Sequence, residues 1–290
     1  MEIWSIVTTL KKRKTKMFSG VKSIAIGGFD GMHKGHQALF SQLGKEGAIV
    51  VIETGYANLT PKKERENFTH YPIFYIDLDS IRHLSGEEFL EYLKKRFPSL
   101  EKIVVGYDFH FGKNRKYSFN DLKELFDGEV IVVDEVTLHN DSIHSHKIRA
   151  KLQIGDIVGA NDFLGHNYTI KGQKVQGQGL GSKELVATIN LEIKDYLLPK
   201  EGVYVTLTQV DDEEHFHPSV SFIGHRVSTD GTFAVETHIL DTDVDCKAKA
   251  AISFVDFLRE NKKFNSLEEL KEIIMQDITQ AKESLAKKQI

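Results

Sequence analysis

Ser23-Ile24-Ala25-Ile26-Gly27-Gly28-Phe29-Asp30-Gly31-Met32-His33-Lys34-Gly35-His36 passes from a short apolar run through a glycine-rich turn into a helical pattern marked by Leu39, Phe40 and Leu43. The run predicts a buried strand, so the segment reads strand, loop, helix. Outward from it the same grammar repeats. Ala48-Ile49-Val50-Val51-Ile52, Lys102-Ile103-Val104-Val105 and Val130-Ile131-Val132-Val133 are further apolar runs. Between them, Ser85 and Glu88 have capping-box spacing, and Phe89, Leu90, Leu93 and Phe97 follow at helical intervals. Strands apolar throughout and separated by helices predict a parallel sheet covered on both faces.

The placement of the decapeptide Gly27 to His36 carries more than its letters. Open α/β sheets bind ligands at the carboxyl ends of their strands. A helix beginning there aims unpaired N–H groups and a positive dipole end at a bound anion. Glycines at 27, 28, 31 and 35 allow close approach of backbone to phosphate. His33 and His36, three apart, supply hydrogen-bond donors for charge that develops on phosphate oxygens. The plainer reading is a glycine-rich turn with two surface histidines. A zinc pair is excluded because no Cys or acidic ligand lies at useful spacing. The segment also lacks the G-x-G-x-x-G pattern and the Lys-Ser/Thr ending of a P-loop.

After about residue 165 the grammar changes. Tyr168 to Val175, Thr188 to Ile193, Val203 to Val210, Ser219 to Ile223 and Thr232 to Leu240 are short alternating segments separated by Gly or Pro, which predicts antiparallel sheet or barrel. A last helix begins with Ser266 and Glu269 at capping-box spacing and is expected to bury Leu270, Ile274, Ile278, Ala281 and Leu285. The boundary is placed at 160/161, giving domains 1–160 and 161–290. Gly155-Asp156-Ile157-Val158 would open the last helix of the first domain.

Composition bounds the setting. The chain has 290 residues, 40% apolar and 28% charged, as in an ordinary globular protein of two domains. A net charge of −4 gives no basis for nucleic-acid binding, and the short basic run Lys11 to Lys16 reads as a solvated face. Cys246 is the only cysteine, so no intrachain disulfide forms and a reducing cytoplasm is expected. No apolar stretch approaches the ~20 residues of a membrane helix, so no membrane partner is expected. None of these features sets an oligomeric state.

The decapeptide resembles the G-x-F-D-G-x-H-x-G-H signature of bacterial bifunctional riboflavin kinase/FMN adenylyltransferases. Val105-Gly106-Tyr107-Asp108-Phe109-His110-Phe111-Gly112-Lys113-Asn114-Arg115 is similar to the family's G-x-D-F-x-F-G-K-x-R segment. Ser145-His146-Lys147-Ile148-Arg149 matches S-S-T-x-I-R at Ser145 and Arg149, with His144 and His146 replacing a serine and a threonine. Glu53 to Asn58 departs from the family's Pro-His-Pro segment beside the flavin. In the second half, Leu164 to Val175 follows the junction pattern L-G-x-x-Y-x-I-x-G-x-V, and Ala187-Thr188-Ile189-Asn190 stands for P-T-A-N. Phe233 to Leu240 is similar to V-E-x-H-L-L, and Phe254 to Ser266 to F-L-R-x-x-x-K-F-x-S.

The resemblance implies an α/β Rossmann-like nucleotidyltransferase domain followed by a small antiparallel β-barrel domain with a C-terminal helix. It implies an ATP-dependent enzyme that phosphorylates riboflavin to FMN and adenylylates FMN to FAD. For the adenylyl transfer it assigns His33, His36, Ser145 and Arg149 to the triphosphate, Gly28, Phe29, Asp30 and Gly31 to cofactor binding, and Asp108 and Phe109 to cofactor binding along the substrate cleft. For the kinase it assigns Glu236 as general base and Thr188 and Asn190 to Mg2+ (Mn2+ suits the same oxygen ligands). Gly177, Gly179 and Gly181 read by themselves as a phosphate-cradling loop or, more plainly, as a turn. Taken without the family, T-x-N reads as a half-polar strand face and Glu236 as a solvent-facing glutamate. Asp241, Asp243 and Asp245 suggest a calcium loop, which Cys246 and Ile252 exclude at the required Gly and Glu positions. Three alternatives stand beside the main reading: an adenylyltransferase with a decayed kinase half, one acting on another phosphate-bearing substrate, and a non-catalytic flavin-binding protein.

Overall fold

A computed structural model of the chain describes residues 18, 20–177, 186–211, 213–228 and 230–289. The basic run at 11–16 and the loop residues Gly179 and Gly181 lie outside the described residues. The chain divides into two compact units, Met1–His144 and Ser145–Ile290.

The first unit is built on five parallel strands: β1 (Ser23–Gly27), β2 (Gly47–Glu53), β3 (Ile73–Asp77), β4 (Lys102–Gly106) and β5 (Glu129–Val133), in the order β3-β2-β1-β4-β5. Side chains alternate between faces, so Ile24, Ile26, Val50, Ile103 and Val105 enter one core while Ala25, Ile49, Val51 and Val104 enter the other. That two-sided burial is why the strands are apolar throughout. Helices α1 (Lys34–Phe40), α2 (Leu78–Ile81), α3 (Gly86–Arg96) and α4 (Phe119–Leu125) complete the unit with two short hairpins. The capping box expected at Ser85 and Glu88 opens α3. Strand β3, an edge strand mostly half-buried and entered through Pro72, has no counterpart in the sequence reading, although Ile73-Phe74-Tyr75-Ile76 is an apolar run like the others. The chain order reverses at β1, so the carboxyl ends of β1 and β4 flank the switch point where such sheets bind ligands.

The second unit begins with α5 (Ser145–Ile154) and α6 (Ile157–Leu164), earlier than the boundary expected at 160/161. These helices are fastened to the barrel: Asn161 donates to the Phe254 carbonyl (2.9 Å) and accepts from the Tyr168 N–H (2.8 Å), and Lys200 N donates to the Leu152 carbonyl (2.9 Å). Strands β6 (Thr169–Val175), β7 (Ile189–Ile193), β8 (Gly202–Val210), β9 (His217–His225), β10 (Phe233–Ile239) and β11 (Lys249–Glu260) form a closed antiparallel barrel in the order β6-β7-β10-β9-β8-β11. Strand β11, which closes it by pairing with both β6 and β8, is absent from the sequence reading. The final helix, α7 (Leu267–Lys287), packs Ile278, Ala281 and Leu285 on Val205 and Val255. Ser266 caps it by accepting from Glu269 N, but Glu269 reaches back to Asn265 N rather than Ser266 N, so the expected box is half formed.

The β8 residues between those that meet α7 are polar. Thr206, Thr208, Ser219, Ser221 and Thr237 are buried and joined in a closed circuit, Thr206–Ser219–Thr208–Thr237–Ser221–Thr206, with oxygen separations of 2.8 to 2.9 Å. Each hydroxyl makes two hydrogen bonds, which satisfies the group without water.

Candidate active sites

The loop after β1 is held by bonds that span the unit. Asp30 is buried, and its carboxylate accepts from Asn58 N (3.2 Å), Leu59 N (3.0 Å) and Thr60 N (2.9 Å). Gly31 N donates to Thr60 Oγ1 at 2.8 Å. Arg65, only 1% exposed, donates from Nε to the Phe29 carbonyl (3.3 Å) and from Nη1 to Glu53 Oε1 (2.6 Å) and the Lys62 carbonyl (3.0 Å). Phe29 itself is buried against His36 and Phe40. Phe29 and Asp30, expected in cofactor binding, are thus engaged in shaping the loop, whereas Gly28 is exposed with open space where a Cβ would stand. The departure at Glu53 to Asn58 has a local counterpart: Glu53 neutralises Arg65, and Asn58 N is one of the donors to Asp30.

His33 caps α1 with its imidazole, Nδ1 accepting from His36 N at 3.3 Å. That bond leaves the proton on Nε2. The two imidazoles stack with centroids 3.5 Å apart and 20° between planes. A Cβ at Gly35 would come within 3.1 Å of the His33 ring, which explains the glycine between them. Burial, then the neighbouring cationic positions of His33, Arg65 and His144, hold the His36 pKa well below the ordinary histidine value. His36 is therefore neutral near pH 7. Its Nδ1 is buried with no hydrogen-bond partner among the described residues. An orphan acceptor is less costly there than an orphan N–H, so the proton belongs on Nε2.

Beyond β4, Tyr107 donates to Glu135 Oε1 at 2.7 Å, and His144 Nε2 lies 3.2 Å from the same oxygen and 3.3 Å from the phenol. The Glu135 carboxylate pushes the Tyr107 phenol up to about 12. Asp108 is exposed, and Phe109 is half-buried and stacked on Phe111. Ser145 and Arg149 stand one turn apart in α5, hence on one helix face.

In the barrel unit the expected residues converge. Register places Asn190 of β7 opposite Glu236 of β10. Asn190 Nδ2 approaches Thr188 Oγ1 at 3.5 Å, and a Cβ at Gly177 would stand 2.5 Å from that amide nitrogen. Glu236 and His238 share one face of β10 and line a cavity of about 500 Å³ with Thr188 and Asn190, within the size range of small-molecule sites. Val203, Val220 and Phe222 floor it, and Leu270, Ile274 and Ile278 of α7 wall it. Leu270 and Ile274 are only half-buried because they face this cavity. Burial raises the proton affinity of Glu236, and Arg226 opposes the rise.

Arg226 is the residue that sequence reasoning missed here. Its Nε donates to Glu236 Oε1 (3.0 Å) and its Nη2 to Asn190 Oδ1 (3.0 Å). A lone arginine in a turn has no periodicity or spacing to mark it, and Arg65, inside the charged stretch Lys62 to Glu66, is equally silent. Asp241, from the rejected calcium pattern, instead pairs with Lys282 of α7.

Comparison with known proteins agrees with this geometry. The riboflavin kinase family model matches residues 164–285 and the FAD synthetase model residues 72–147. A bifunctional riboflavin kinase/FMN adenylyltransferase from Listeria monocytogenes is 31% identical over 279 residues, 86% of this chain and 88% of that protein. The protein of the same name from Pseudomonas fluorescens is 28% identical over 284 residues, 89% of this chain and 91% of that protein. A crystal structure described as a macrolide-efflux protein from Streptococcus pneumoniae superposes with a TM-score of 0.76 at 27% identity, covering 89% of this chain and 92% of that one. Among the described residues no helix is long and apolar enough to cross a membrane. With both family models present and each expected half folded, the chain belongs to the family of bifunctional riboflavin kinase/FMN adenylyltransferases.

Proposed function

We propose that the family's two ATP-dependent reactions are divided between the units, with riboflavin phosphorylated on the barrel and FMN adenylylated at the β1 loop. The observation that carries the kinase assignment is Glu236, half-buried in the cavity beside Asn190 and Thr188. One carboxylate oxygen, Oε1, is engaged by Arg226; Oε2 accepts no hydrogen bond among the described residues. Glu236 takes the proton of the riboflavin 5′-hydroxyl through Oε2 as that oxygen attacks the γ-phosphorus of ATP, and the bond to ADP breaks.

Thr188 and Asn190 offer neutral oxygens on one face, and the Glu236 carboxylate stands opposite Asn190. Such a hard, incomplete oxygen set suits Mg2+ or Mn2+ arriving with nucleotide phosphates better than a dedicated protein cage. The metal would supply charge neutralisation on the transferring phosphoryl group. Gly177 leaves room for the Asn190 amide; Gly179 and Gly181 are assigned to the same phosphate loop.

In the first unit the FMN phosphate attacks the α-phosphorus of ATP and pyrophosphate leaves, with no protein nucleophile. Neutral His36 donates from Nε2, as does His33, towards the triphosphate and its leaving group. Ser145 and Arg149 serve the same phosphates. Gly28 gives close backbone approach, Asp108 and Phe109 border the substrate, and Phe29, Asp30 and Gly31 hold the loop. A reducing cytoplasm is the assigned setting, consistent with a single buried cysteine.

Chromatography of purified protein incubated with riboflavin, ATP and Mg2+ tests the assignment. The expected course is FMN first, then FAD. FAD from added FMN with no product from riboflavin would leave only the adenylyltransferase half. Conversion of neither flavin would sink the assignment.

A further inference from the structure

Within the kinase cavity Glu236 is faced by more than one cationic group. Lys174, His238, Arg259, Lys262 and the acidic Asp277 line the same space, but Arg259 is bound to Asp277 (2.8 Å), and His238 donates from Nδ1 to the Ala187 carbonyl (2.7 Å). Among the described residues Arg226 alone donates to Glu236. It sits in the turn joining β9 to β10, where its N–H donates to the Thr232 carbonyl at 2.9 Å. Nη1 reaches Thr232 Oγ1 (3.2 Å) and Asp230 Oδ2 (3.4 Å), while Nε and Nη2 hold Glu236 and Asn190.

Strand register fixes the backbones of Asn190 and Glu236 opposite each other and leaves their side-chain torsions open. A planar guanidinium has its donors in a fixed fork, so contact with both groups sets both torsions together. We propose that Arg226 is the positioning residue of the kinase reaction, orienting Glu236 and Asn190 as one unit and balancing the charge of the carboxylate in the cavity. This rests on the assignment of Glu236 as the base. Electrostatics agrees: burial is the largest influence raising the Glu236 pKa, Arg226 is the largest lowering it, and Asp230 adds a smaller rise.

The test uses full-length R226Q and R226K, with kcat and KM for riboflavin measured separately and the heat-inactivation midpoint of FMN formation, which reports on the barrel itself, as the fold control. Loss of the fork leaves the torsions of Glu236 and Asn190 unset, so kcat falls about 10- to 100-fold in R226Q, as when the partner that orients a ligand is removed, while KM stays within about threefold. R226K keeps a charge without the fork, so its kcat stays low. An R226Q kcat near wild type, or an R226K kcat restored to wild type, would overturn the proposal and leave Arg226 as a staple of its turn. If R226Q inactivates at a lower temperature than wild type, R226K decides: a wild-type midpoint with a low kcat supports the proposal, and a wild-type kcat overturns it. Wild-type protein that makes no FMN, or E236Q that still does, would instead remove the base assignment and this inference with it.

Discussion

The β1 loop and the barrel face are both assigned to polyphosphate chemistry, yet they fix their side chains by opposite means. His33 and His36 sit beyond the end of a strand, and their loop is tied to residues about thirty positions away through the Asp30 carboxylate and Gly31 N–H. Asn190 and Glu236 lie within paired strands, where register itself brings them together. A site at a strand end depends on remote tethers and is loosened by changes in the loop that receives them. A site on a barrel wall depends on its immediate neighbours and is spoiled by whatever disturbs a contact.

The sharpest way to break this comparison is to disable each site alone. E236Q is expected to lower FMN formation by about 10²- to 10⁴-fold, the usual weight of a general base, and to leave adenylylation of supplied FMN intact. H36A is expected to lower FAD formation from FMN by about 10²- to 10³-fold through loss of a donor, with riboflavin phosphorylation retained. Parallel loss of both activities in either variant would refute the division of labour.

D30A addresses the tethers. It leaves three backbone N–H groups without their carboxylate and is expected to cost about 1–3 kcal/mol. Heat inactivation of FAD formation should then occur at lower temperature, with inactivation of FMN formation unchanged. Equal shifts in the two midpoints would show that the tether serves the whole chain.

The smallest effect is a pH dependence confined to the first unit. Unfolded His36 takes up a proton near its ordinary 6.5, whereas the folded ring resists it. Stability therefore falls as pH drops below about 6.5, with a slope of at most about 1.4 kcal/mol per pH unit from this group. H36Q should flatten the acid dependence of the FAD-forming midpoint; an unchanged dependence would place its source elsewhere.

Most of the parallel sheet was legible because β1, β2 and β4 are buried on both faces and must be apolar, while β5, a half-buried edge strand, announced itself by the run Val130 to Val133. The reading failed on β11 for a definite reason. Its pairing with β8 shifts register between Val203 and Tyr204 and again between Val205 and Thr206, so Leu258 and Val255 are extra residues on the longer strand. Both pack with the core under α7, which breaks the period of two that announces a strand. The boundary moved for a related reason: the tie from Asn161 to Phe254 crosses 93 positions and is invisible locally. The motifs singled out Glu236, Thr188 and Asn190, which the fold brings to one cavity. Arg226 was not, since its partners stand ten positions ahead and thirty-six behind.

The hydroxyl circuit in the barrel constrains how the sequence can change. Ser221 donates to Thr237, and each hydroxyl has one proton to give, so every other bond takes its direction from that one: Thr237 to Thr208, Thr208 to Ser219, Ser219 to Thr206 and Thr206 to Ser221. Serine and threonine can exchange within it, but a single apolar replacement leaves one neighbour with a proton and no taker and another with a lone pair and no giver. The five positions therefore form one unit of inheritance. An apolar barrel centre cannot be reached from this one by a series of individually harmless steps.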